Sequence, residues 1–518
     1  MARIIQTADL TPKTKLTFND QEWVYNGLDV CVTLEVLEIL LPQLDNQSST
    51  TYDFSKALQA PILEMGMRGL RVDQWRRNKV LREYNEQLDR LEANLTRIVR
   101  EGIGFPVESN SKTRWWRSPA QLKTLFYEVM GLSPIRKRNA NGVMAPTVNR
   151  DAIERLSLYL NAEMICSHLL LMRDIEKKRQ FLETEFDADG RIRTSFNIAG
   201  TNTGRLASSM AEFGTGTNLQ NVDRLLRSVF IADPGMKFGN VDLEQGDSRN
   251  LGALCWERFY EREGPEFAGA YLDACESGDL HTTVSRMARP TLAWSDDPVA
   301  NRKLADTKYY RNDSYRDLDK KLGHGSNYLG QPRTMAKHSK VPQHEVEIFQ
   351  HNYFRAFPCI PAYHEWVWHE LLETSSLTTL FGRRRYFFGR IPYASDSKWQ
   401  SSDTIREAVA FGPQSMTAEE INIGMLNVWR GNRVQLLVQV HDSILFQYRE
   451  EEEDEIIPWV ISQLRVPLRL AGDRDFYVPA EAKVGWNWGD WSEDNIDGLK
   501  KWKGGDDRKR SEQPKAFL

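Results

Sequence analysis

The sequence predicts a mixed fold of the α/β (α+β) class, and three observations favour it. A long amphipathic helix is predicted at 80–99, where one stripe contains Val80, Tyr84, Leu88, Leu91, Leu95 and Ile98. A second apolar run ends at Asp242 and is followed by a helical pattern, as expected for a buried strand that leads into a helix. A third run, LLVQVHDSILFQ at 436–447, has polar residues in its middle, which predicts an antiparallel hairpin.

The composition narrows the class of protein. The chain has 518 residues, of which 41% are hydrophobic and 27% charged, and its net charge is −4. These values are typical of a soluble globular protein of about two to four domains. Because the sequence contains neither an apolar run of about 18 residues nor a signal-peptide core, we expect a cytoplasmic protein without a membrane span. Five scattered cysteines without a CxxC pair argue against a disulfide framework and a zinc site.

Helical patterns dominate the first part of the chain, at 52–110 and 118–190. The polar loop between them carries Lys112, Arg114 and Arg117 around Trp115 and Trp116. A basic loop with aromatic residues can grip a nucleic-acid backbone, but it can equally be a surface loop that its tryptophans anchor. Both interpretations stay open on the sequence alone.

The remaining elements follow in chain order. The residues DADGRIRTSFN predict a turn into a strand near 190, and the stretch 201–222, rich in Gly, Thr and Asn, is a loop long enough to suggest a function. After the strand that ends at Asp242, the pattern at 255–375 is mostly helical, and a helix at 402–428 precedes the hairpin. The charged C-terminal segment is expected to be disordered.

Two aspartates occupy similar positions beside the apolar runs. Asp242 follows one predicted strand and Asp442 lies in the predicted hairpin turn. Two carboxylates at adjacent strand ends can hold two Mg²⁺ ions about 3.5 to 4 Å apart. Taken alone, however, an aspartate that ends a strand is more often a turn residue or a helix cap.

The stretch RDLDKKLGHGSNYLG combines cations and rings on one face. Its residues at intervals of four are Arg316, Lys320, His324 and Tyr328, and this spacing puts them on one side of an α-helix. Such a face suits a nucleoside triphosphate, with the cations on the phosphates and the rings on base and sugar. The alternative is a solvated charged helix. Gly323 and Gly325 argue against it, because glycines weaken a helix and allow a ligand or another backbone to approach closely.

In this order, these segments resemble the DNA polymerases of family A, the group of bacterial DNA polymerase I and its phage relatives. NVDLEQGDSR resembles motif A of the family, the 316–328 face resembles motif B, and VQVHDS resembles motif C. Further resemblances to the family are carried by TNTGRLAS, NLQNV, DLHTT, YFRAFPCIPAY, TLFGRRRY and VGWNWGDW, and SPAQLKTLFYEVMGL resembles the thumb. The resemblance extends over nearly the whole chain.

The resemblance implies a right-hand polymerase fold in which an antiparallel palm sheet carries the catalytic aspartates. It divides the chain into a remnant of a 3′–5′ exonuclease domain (1–50), a thumb (51–190), a first palm segment (191–278), fingers (279–394), a second palm segment (395–498) and a tail (499–518). The implied activity is that of a DNA-directed DNA polymerase, which adds dNMP to a primer 3′-hydroxyl by two-metal nucleotidyl transfer. Primer-template DNA and dNTPs are the implied partners, and two Mg²⁺ ions, for which Mn²⁺ can substitute, are the implied cofactor.

The same resemblance assigns roles to individual residues. It makes Asp242 and Asp442 the metal ligands and adds Arg316 and Lys320 to the catalytic set. It assigns nucleotide binding to Arg316, Lys320, His324, Tyr328, Asp247, Gln245 and His281. It assigns primer-template binding to Arg205, Gln220, Asn221, His441, Arg406, Gln414 and Gln439. Arg249 matches the arginine that closes motif A.

Three residues depart from the family pattern inside the motifs. Asp247 stands where the family usually has Glu, and His324 stands where it usually has Phe or Tyr. Because both side chains are smaller than the usual ones, we expect weaker discrimination against the ribose 2′-hydroxyl. Ser443 replaces the Glu of the His-Asp-Glu motif, which removes a third carboxylate from the site.

The register of the helix REAVAFGPQSMTAEE, which resembles the template-contacting helix of the family, is ambiguous. Alignment on Arg406 makes Gln414 the minor-groove contact, whereas alignment on Pro413 and Thr417 makes it Ser415. An amide can donate to the acceptors that all base pairs present in the minor groove, which favours Gln414.

The largest departure lies near the N-terminus. YNGLDVCVTLEV resembles the last motif of the family's exonuclease domain, with Tyr25 and Asp29, but the acidic segments that should precede it are absent. One carboxylate cannot hold two metals, so we expect no proofreading by this chain. Either the remnant is vestigial and packs on the palm, or a separate exonuclease subunit docks on residues 1–50. Processivity or replisome factors are further expected partners, and a phage-type replicase in the host-cell cytoplasm fits this reduced form.

Two other functions stay open as alternatives. A single-subunit RNA polymerase shares the palm architecture, and primer-dependent use of dNTPs distinguishes the two enzymes. A catalytically silent nucleic-acid-binding subunit would be expected to lose a metal-binding aspartate. Asp242 and Asp442 are both present, which argues against a silent subunit.

Overall fold

The computed structural model describes residues 17–109, 113–139, 142–211, 215–310 and 313–504. Helices and antiparallel sheets both occur among these residues, as the mixed fold class predicts. Within the same ranges, no helix combines the length and the apolar character that crossing a membrane requires. Lys112 and residues 505–518 of the predicted tail lie outside the described residues.

The long amphipathic helix predicted at 80–99 is present. It runs over Gln74–Arg97, and the Asp73 carboxylate accepts a hydrogen bond from the Arg76 N–H of its first turn at 3.0 Å. Leu88 and Leu95 of the predicted stripe are buried, and the helix packs against Glu163–Leu182. The other helical segments between 41 and 156 are Leu41–Gln43, Asn46–Ala57, Gln59–Arg68, Ile98–Ile103, Trp115–Arg117, Pro119–Lys123, Thr124–Val129 and Arg150–Leu156.

The prediction of helix throughout 118–190 is wrong in one place. Arg136–Arg138 and Met144–Pro146 form an antiparallel hairpin instead. The Asn139 side chain accepts a hydrogen bond from the Val143 N–H at 2.9 Å, and Gly142 adopts a φ of 77°, which favours glycine. The turn chemistry of these two residues therefore interrupts the helical pattern.

The tryptophan loop is anchored to its own region. Trp115 and Trp116 are both buried, and the indole N–H of Trp115 donates to the Thr96 hydroxyl at 2.9 Å. The Arg114 guanidinium forms an ion pair with Glu92 at 2.6 Å. These contacts favour the interpretation as a surface loop held by its tryptophans over the nucleic-acid interpretation.

The segment that resembles an exonuclease motif forms the helix Phe18–Leu40. A capping box between Thr17 and Asp20 begins it, which satisfies backbone N–H groups of the first turn. The helix buries none of its side chains, and Tyr25 and Asp29 are exposed. The interpretation that this segment packs on the palm is therefore wrong for the described residues.

The antiparallel sheet that the hairpin was expected to join has five strands. Its order is Gln435–Val440, Ser443–Arg449, Met236–Leu243, Ala480–Gly485 and Lys500–Lys501. Both the hairpin at 436–447 and the strand that ends near Asp242 are thus present as predicted. The strand Lys500–Lys501 corrects the predicted start of the tail, because Lys500 pairs with Val484 at the sheet edge and Leu499 is buried.

Helices surround this sheet and share one hydrophobic core with it. Val241 of the sheet, Leu322 and Ile421 belong to that core, which explains why these segments stay together. The helices after the strand Met236–Leu243 are Gly246–Glu263, Pro265–Glu276, Leu280–Ala288, Pro298–Ala305, Tyr315–Asn327, Pro332–Ser339, Gln343–Ala356, Cys359–Thr374, Asp403–Gly431 and Glu453–Leu464. The helical predictions for 255–375 and 402–428 agree with this part of the structure.

Short strands and helical turns complete the described residues. Leu70–Val72 pairs with Arg191–Ile192 and Phe230–Ile231, and the two-stranded pairs are Ser195–Asn197 with Ala207–Ser209, Lys308–Tyr310 with Asp313–Ser314, Ser376–Thr378 with Arg384–Tyr386, and Leu468–Leu470 with Arg474–Phe476. The helical turns are Leu219–Asn221, Arg224–Val229, Trp399–Ser401, Glu450–Glu452 and Ala471–Asp473.

Candidate active site

The sheet brings Asp242 and Asp442 together. Ser443 is the register partner of Asp242, and the Leu243 N–H donates to the Asp442 carbonyl at 3.0 Å. Glu481 is the register partner of Asp242 on its other side. The two predicted metal ligands therefore lie at neighbouring strand ends, although they are far apart in the sequence.

The two carboxylates also influence each other electrostatically. Protein packed around the strand end and the Asp442 carboxylate beside it raise the pKa of Asp242 well above its usual range, although solvent reaches the side chain through a cavity. Two adjacent carboxylates with hard oxygen donors suit a divalent cation such as Mg²⁺, because its charge removes their mutual repulsion. Within the described ranges, no group of three or more His, Cys, Asp or Glu side chains lies together in a way that could hold a metal ion.

Hydrogen bonds fix the hairpin turn that carries Asp442. His441 adopts a left-handed φ of 55°, and the Gln439 amide donates to its carbonyl. The Gln220 amide donates in turn to the Gln439 carbonyl at 3.0 Å and to its side-chain oxygen at 3.1 Å. The Ser443 hydroxyl donates to the Val440 carbonyl at 3.0 Å, so this residue closes the turn where the family has a carboxylate.

A cavity of about 330 Å³ opens in front of the aspartates. The helix Tyr315–Asn327, here called the fingers helix, forms one wall of the cavity, and the sheet end forms the opposite wall. The predicted site residues that line it are Asp242, Gln245, Asp247, His281, Lys320, His324 and Asp442. The structure therefore brings Lys320 and His324 of the fingers helix to the same cavity as the carboxylates, whereas Arg316 and Tyr328 of the predicted face are not among the residues that line it.

The glycines of the fingers helix were predicted to let a ligand or another backbone approach closely. A Cβ on Gly325 would lie 2.9 Å from the Met335 side chain, and a Cβ on Gly323 would lie 3.6 Å from the Tyr353 ring. The groups that approach these glycines are therefore neighbouring side chains rather than a backbone, and Gly323 also lines the cavity.

The sequence analysis did not single out Asp279, which holds Arg316. Its carboxylate accepts hydrogen bonds from Arg316 at 3.0 Å, from Arg302 at 2.7 Å and from the Thr282 hydroxyl at 2.7 Å. These partners, opposed by burial, bring the pKa of Asp279 far below its usual range. The sequence does show an Asp directly before LHTT, which is typical of a helix cap. Its partner Arg316, however, lies too far along the chain for a local sequence pattern to predict the contact.

His281 lies next to the same cations. Burial, together with Lys320 and Arg316, lowers the pKa of His281 to about 4. Its imidazole is therefore neutral at neutral pH and can donate or accept a hydrogen bond without adding charge.

Asp247 links Tyr328, which directly follows the fingers helix, to Arg205. The Tyr328 hydroxyl donates to its carboxylate at 3.0 Å, and Arg205 donates to the other oxygen at 3.2 Å. The His324 ring stands edge-on to the Tyr328 ring, with centroids 4.9 Å apart. Protein packed around His324 lowers its pKa, although nearby Asp247 opposes this effect. Arg205, which the resemblance assigns to primer-template binding, thus lies beside the predicted nucleotide site.

A second cavity of about 510 Å³ reaches the same aspartates from the side of His441. Arg224, Arg227 and Lys483 line it, and the Arg227 guanidinium lies over the Trp488 ring at 4.6 Å. None of these side chains was predicted as a site residue. The segments NLQNV and VGWNWGDW had been noted for their resemblance to the family. Arg224, Arg227 and Lys483 lie close to these segments in the sequence, and the fold brings all three to the cavity.

The remaining predicted contacts lie along the edges of the site. Gln414 is half-buried, whereas Ser415 is fully buried and its hydroxyl has no hydrogen-bond partner in the described part of the chain. Gln414 is therefore the more accessible of the two candidates. Arg406 forms an ion pair with Asp403, and Asn221 is exposed.

Two residues of motif A shape the start of the helix Gly246–Glu263. Gln245 adopts a left-handed φ of 57° directly before the helix, so the chain turns sharply from strand to helix. Arg249 is buried and donates to the Glu244 carbonyl at 3.1 Å. This turn places Asp247, in the first turn of the helix, on the cavity wall.

Known proteins resemble the chain in sequence and in structure. DNA polymerase I of Chloroflexus aurantiacus is 27% identical over 504 residues, which cover 91% of this chain and 47% of that protein. The thermostable DNA polymerase I of Thermus filiformis is 26% identical over 468 residues, which cover 87% of this chain and 49% of that protein. The chain thus spans about half the length of these curated relatives.

A solved structure described as the POL domain of Pol1 from M. smegmatis in complex with DNA primer-template and dNTP is similar to the chain, with a TM-score of 0.64. The sequence identity is 22%, and the match covers 83% of this chain and 69% of that one. This likeness confirms the right-hand fold of palm, fingers and thumb. The family model for DNA polymerase family A matches residues 78–490, which is well over half of the sequence. The chain therefore belongs to DNA polymerase family A.

Proposed function

We propose that this chain is a DNA-templated DNA polymerase that adds dNMP to the 3′-hydroxyl of a primer. The observation that carries the proposal is the cavity in which Asp242 and Asp442 face Lys320 of the fingers helix. Family membership supports it, because the curated relatives are named DNA polymerase I. The similar solved structure is described as a complex with DNA primer-template and dNTP, which supports these as the partners here.

In the proposed reaction the primer hydroxyl attacks the α-phosphate of a dNTP and pyrophosphate leaves. Asp242 and Asp442 would hold divalent cations, with Mg²⁺ favoured by their hard oxygen donors and Mn²⁺ able to substitute. Two such ions supply an activated nucleophile and charge neutralisation on the leaving group. Lys320 and Arg316 would stabilise the triphosphate, and Asp279 holds Arg316 in position for this task.

The primer and template would lie along the residues around the second cavity and the helix Asp403–Gly431. His441 and the linked amides of Gln439 and Gln220 are proposed to contact the primer end and the adjacent base pair. Asn221, Arg205, Arg406 and Gln414 are proposed to contact the rest of the duplex or the template. Gln414 is favoured over Ser415 because its amide is accessible.

Asp247 and His324 support the proposal of weak sugar discrimination. His324, Tyr328, Gln245 and His281 would bind the base and sugar of the incoming nucleotide. Asp247 is anchored by Tyr328 and Arg205, so its short side chain cannot reach farther into the cavity. We therefore expect a smaller ratio of kcat/KM for dNTP over rNTP than in the double variant Asp247→Glu/His324→Phe, measured by single-nucleotide incorporation. An equal ratio in both proteins would contradict this expectation.

No proofreading activity is proposed for this chain. Tyr25 and Asp29 lie on an exposed helix, and no second acidic cluster accompanies them among the described residues. A separate exonuclease subunit that docks on residues 1–50, processivity or replisome factors, a phage-type replicase role and a cytoplasmic location remain proposals that rest on the family resemblance. The domain boundaries given above, with the tail beginning after Lys501, are proposed on the same ground.

Primer extension by the purified chain tests the main proposal. We expect Mg²⁺-dependent, template-directed addition of dNMP, and a loss of about a hundredfold or more in rate for Asp442→Asn. Fluorescence anisotropy of a labelled primer-template serves as the control, because the variant should still bind DNA. Extension with rNTPs and without a primer would instead favour an RNA polymerase, and DNA binding without any extension by the wild type would favour a silent binding subunit.

A further inference from the structure

The helix Phe18–Leu40, here called the N-terminal helix, leaves its apolar side chains uncovered. Within the part of the chain that the structure describes, Trp23 is 75% exposed, Val30 69% and Ile39 62%, and no residue of the helix is buried. Side chains of this kind are normally placed against another element, since burying each one fully contributes about 1.5–3 kcal/mol. An exposed apolar surface of this extent marks an interaction site.

Apolar residues occur all round the N-terminal helix, including two of its opposite sides. At 100° per residue, Leu28, Val32 and Ile39 fall within a narrow arc, and Val30, Leu34 and Leu37 fall on the opposite arc. A helix with an apolar stripe on one side can rest on a flat surface, but a helix that is apolar on both sides requires contact on both. The covering surface is therefore a groove or a cleft rather than a single flat face.

The charge of this segment is of one sign only. Residues 17–55 contain no Lys, Arg or His, and the N-terminal helix carries Asp20, Glu22, Asp29, Glu35 and Glu38. This charge argues against a second copy of the helix as the occupant, since two copies would bring like charges together. It argues equally against DNA and against an anionic lipid surface, both of which attract basic segments.

From the two apolar sides and the acidic charge, we propose that the N-terminal helix is the docking element for another protein, one that receives it in an apolar groove with a basic rim. Apolar contacts from both sides of the helix would supply affinity, and Lys or Arg on the rim would pair with its carboxylates and set its orientation. This inference concerns a surface remote from the aspartate pair in sequence, and it does not depend on the polymerase activity.

Cys31 offers a specific reporter for a test on the full chain. It lies on the N-terminal helix and is exposed, whereas the other four cysteines are buried. A maleimide-linked, environment-sensitive dye on Cys31 would be titrated with an amphipathic helical peptide of Leu and Lys, two copies of which can flank the helix and form an apolar groove with a basic rim. A matched peptide of Leu and Glu serves as the control. We expect saturable binding of the Leu/Lys peptide that weakens as NaCl rises from about 50 to about 500 mM, and binding of the Leu/Glu peptide that is about tenfold weaker or undetectable.

Variants separate the apolar from the charged contribution. Leu34→Gln/Leu37→Gln and Glu35→Gln/Glu38→Gln should each weaken the Leu/Lys peptide about tenfold, whereas Leu171→Gln, at a similarly exposed leucine elsewhere, should not. Primer extension should be unchanged in all three, so a failure of docking is distinguishable from a failure of the polymerase proposal.

Several outcomes would overturn the docking proposal. One is a Cys31 that does not react in the native chain, which would mean that the chain itself covers the helix. Another is equal binding of the two peptides, which would indicate nonspecific apolar contact. A third is a dimer in sedimentation that Leu34→Gln/Leu37→Gln dissociates, which would make a second copy the occupant.

Discussion

A substitution at Asp279 can distinguish its effect on the orientation of Arg316 from its effect on the stability of the fold. It caps the helix Leu280–Ala288 and also holds Arg316 at 3.0 Å. Asn is as good a helix cap as Asp but lacks the charge that fixes a guanidinium. For Asp279→Asn we expect a rise in the dNTP KM that lowers kcat/KM about tenfold, with a smaller change in kcat, in steady-state single-nucleotide incorporation.

The matched control for this prediction is Asp297→Asn. Asp297 caps the neighbouring helix Pro298–Ala305 by accepting from the Val299 N–H at 2.9 Å, and it is exposed. This variant should keep the wild-type KM and the wild-type melting temperature. A lowered melting temperature in Asp279→Asn with an unchanged KM would mean that Asp279 has only its capping role.

Among the helices, the fingers helix is tied to its surroundings by a buried ion pair. Asp319 is fully buried and accepts from Arg289 at 2.8–3.0 Å, and the guanidinium lies 4.7 Å from the centroid of the Tyr309 ring and 5.1 Å from that of the Tyr315 ring. Removing Asp319 leaves the Arg289 guanidinium, among the described residues, with only the longer ion pair to Glu345 at 3.7 Å, and breaking a buried pair in this way costs about 3–5 kcal/mol. For Asp319→Ala we expect a loss of this size in the free energy of unfolding, measured in urea.

Two further variants test the reason for that loss. Asp313→Ala removes the exposed ion pair with Lys321 and should cost less than about 1 kcal/mol. Asp319→Leu/Arg289→Met replaces both charges by apolar groups and should recover much of the stability lost in Asp319→Ala. If the double variant is less stable than Asp319→Ala, the buried charge is not the cause.

The helix Asp403–Gly431 carries a carboxyl that makes stability depend on pH. Burial raises the pKa of Glu420 to about 8, and the Asn250 amide donates to one of its oxygens at 2.8 Å. The folded chain therefore keeps this proton at pH values where the unfolded chain, with an ordinary pKa of 4.5, has lost it. The contribution of Glu420 to the free energy of unfolding is fully present below its pKa in the unfolded chain. It is lost as the pH rises through its pKa in the folded chain.

Relative to Glu420→Gln, the wild type should thus lose up to about 1.4 kcal/mol per pH unit between pH about 5 and 8, measured by urea unfolding across this range. Glu419, whose pKa burial raises to about 7, leaves part of the pH dependence in the variant. Glu407→Gln, at an exposed position of the same helix, should follow the wild-type profile. Parallel profiles for wild type and Glu420→Gln would contradict the prediction.

Considered as a whole molecule, the chain has separate hydrophobic cores. One core, in the segment proposed as the thumb, contains Leu95, Phe126 and Leu169, and it is distinct from the core that joins the central sheet to the helix Tyr315–Asn327. For Leu95→Ala we expect a local loss of about 2–5 kcal/mol, because a buried leucine leaves a cavity. Hydrogen exchange should therefore accelerate within 88–175 but not in the strand Met236–Leu243.

The control for this prediction is Leu171→Ala, at an exposed leucine on the helix Glu163–Leu182. Its effect should stay within about 0.5 kcal/mol. Faster exchange in the central sheet of Leu95→Ala would show instead that thumb and palm unfold as one cooperative unit.

Local sequence patterns predicted the fold correctly where the apolar residues follow a single spacing, that of a helix or that of a strand. The stripe through Leu88 and Leu95 and the turn at Asp442 were both visible, because helix period and turn residues act over a few positions. The hairpin after Arg136 was missed, since its turn chemistry is short compared with the helical pattern around it. The start of the tail was predicted at too low a residue number. Lys500 pairs with Val484 at the edge of the sheet, and such a contact cannot be predicted from composition.

The site was predictable only to the extent that its residues sit in motifs. The resemblance supplied Asp242, Asp442 and Lys320, and the structure brings them to one cavity. The contact between Arg205 and Asp247 joins residues from two different motifs, so neither motif alone reveals it. The exposure of the N-terminal helix could not be predicted either. Apolar residues in a sequence indicate that burial is favourable, but they do not show whether the fold buries them.

The order of the strands in the sheet has a consequence for synthesis of the protein. Met236–Leu243 lies between Ser443–Arg449 and Ala480–Gly485, both of which emerge from the ribosome much later. At roughly 5–20 residues per second, this strand waits roughly ten to forty seconds with both edges unpaired. An unpaired apolar strand is a template for aggregation, so the yield of native protein should depend on how well chaperones shield this segment during translation.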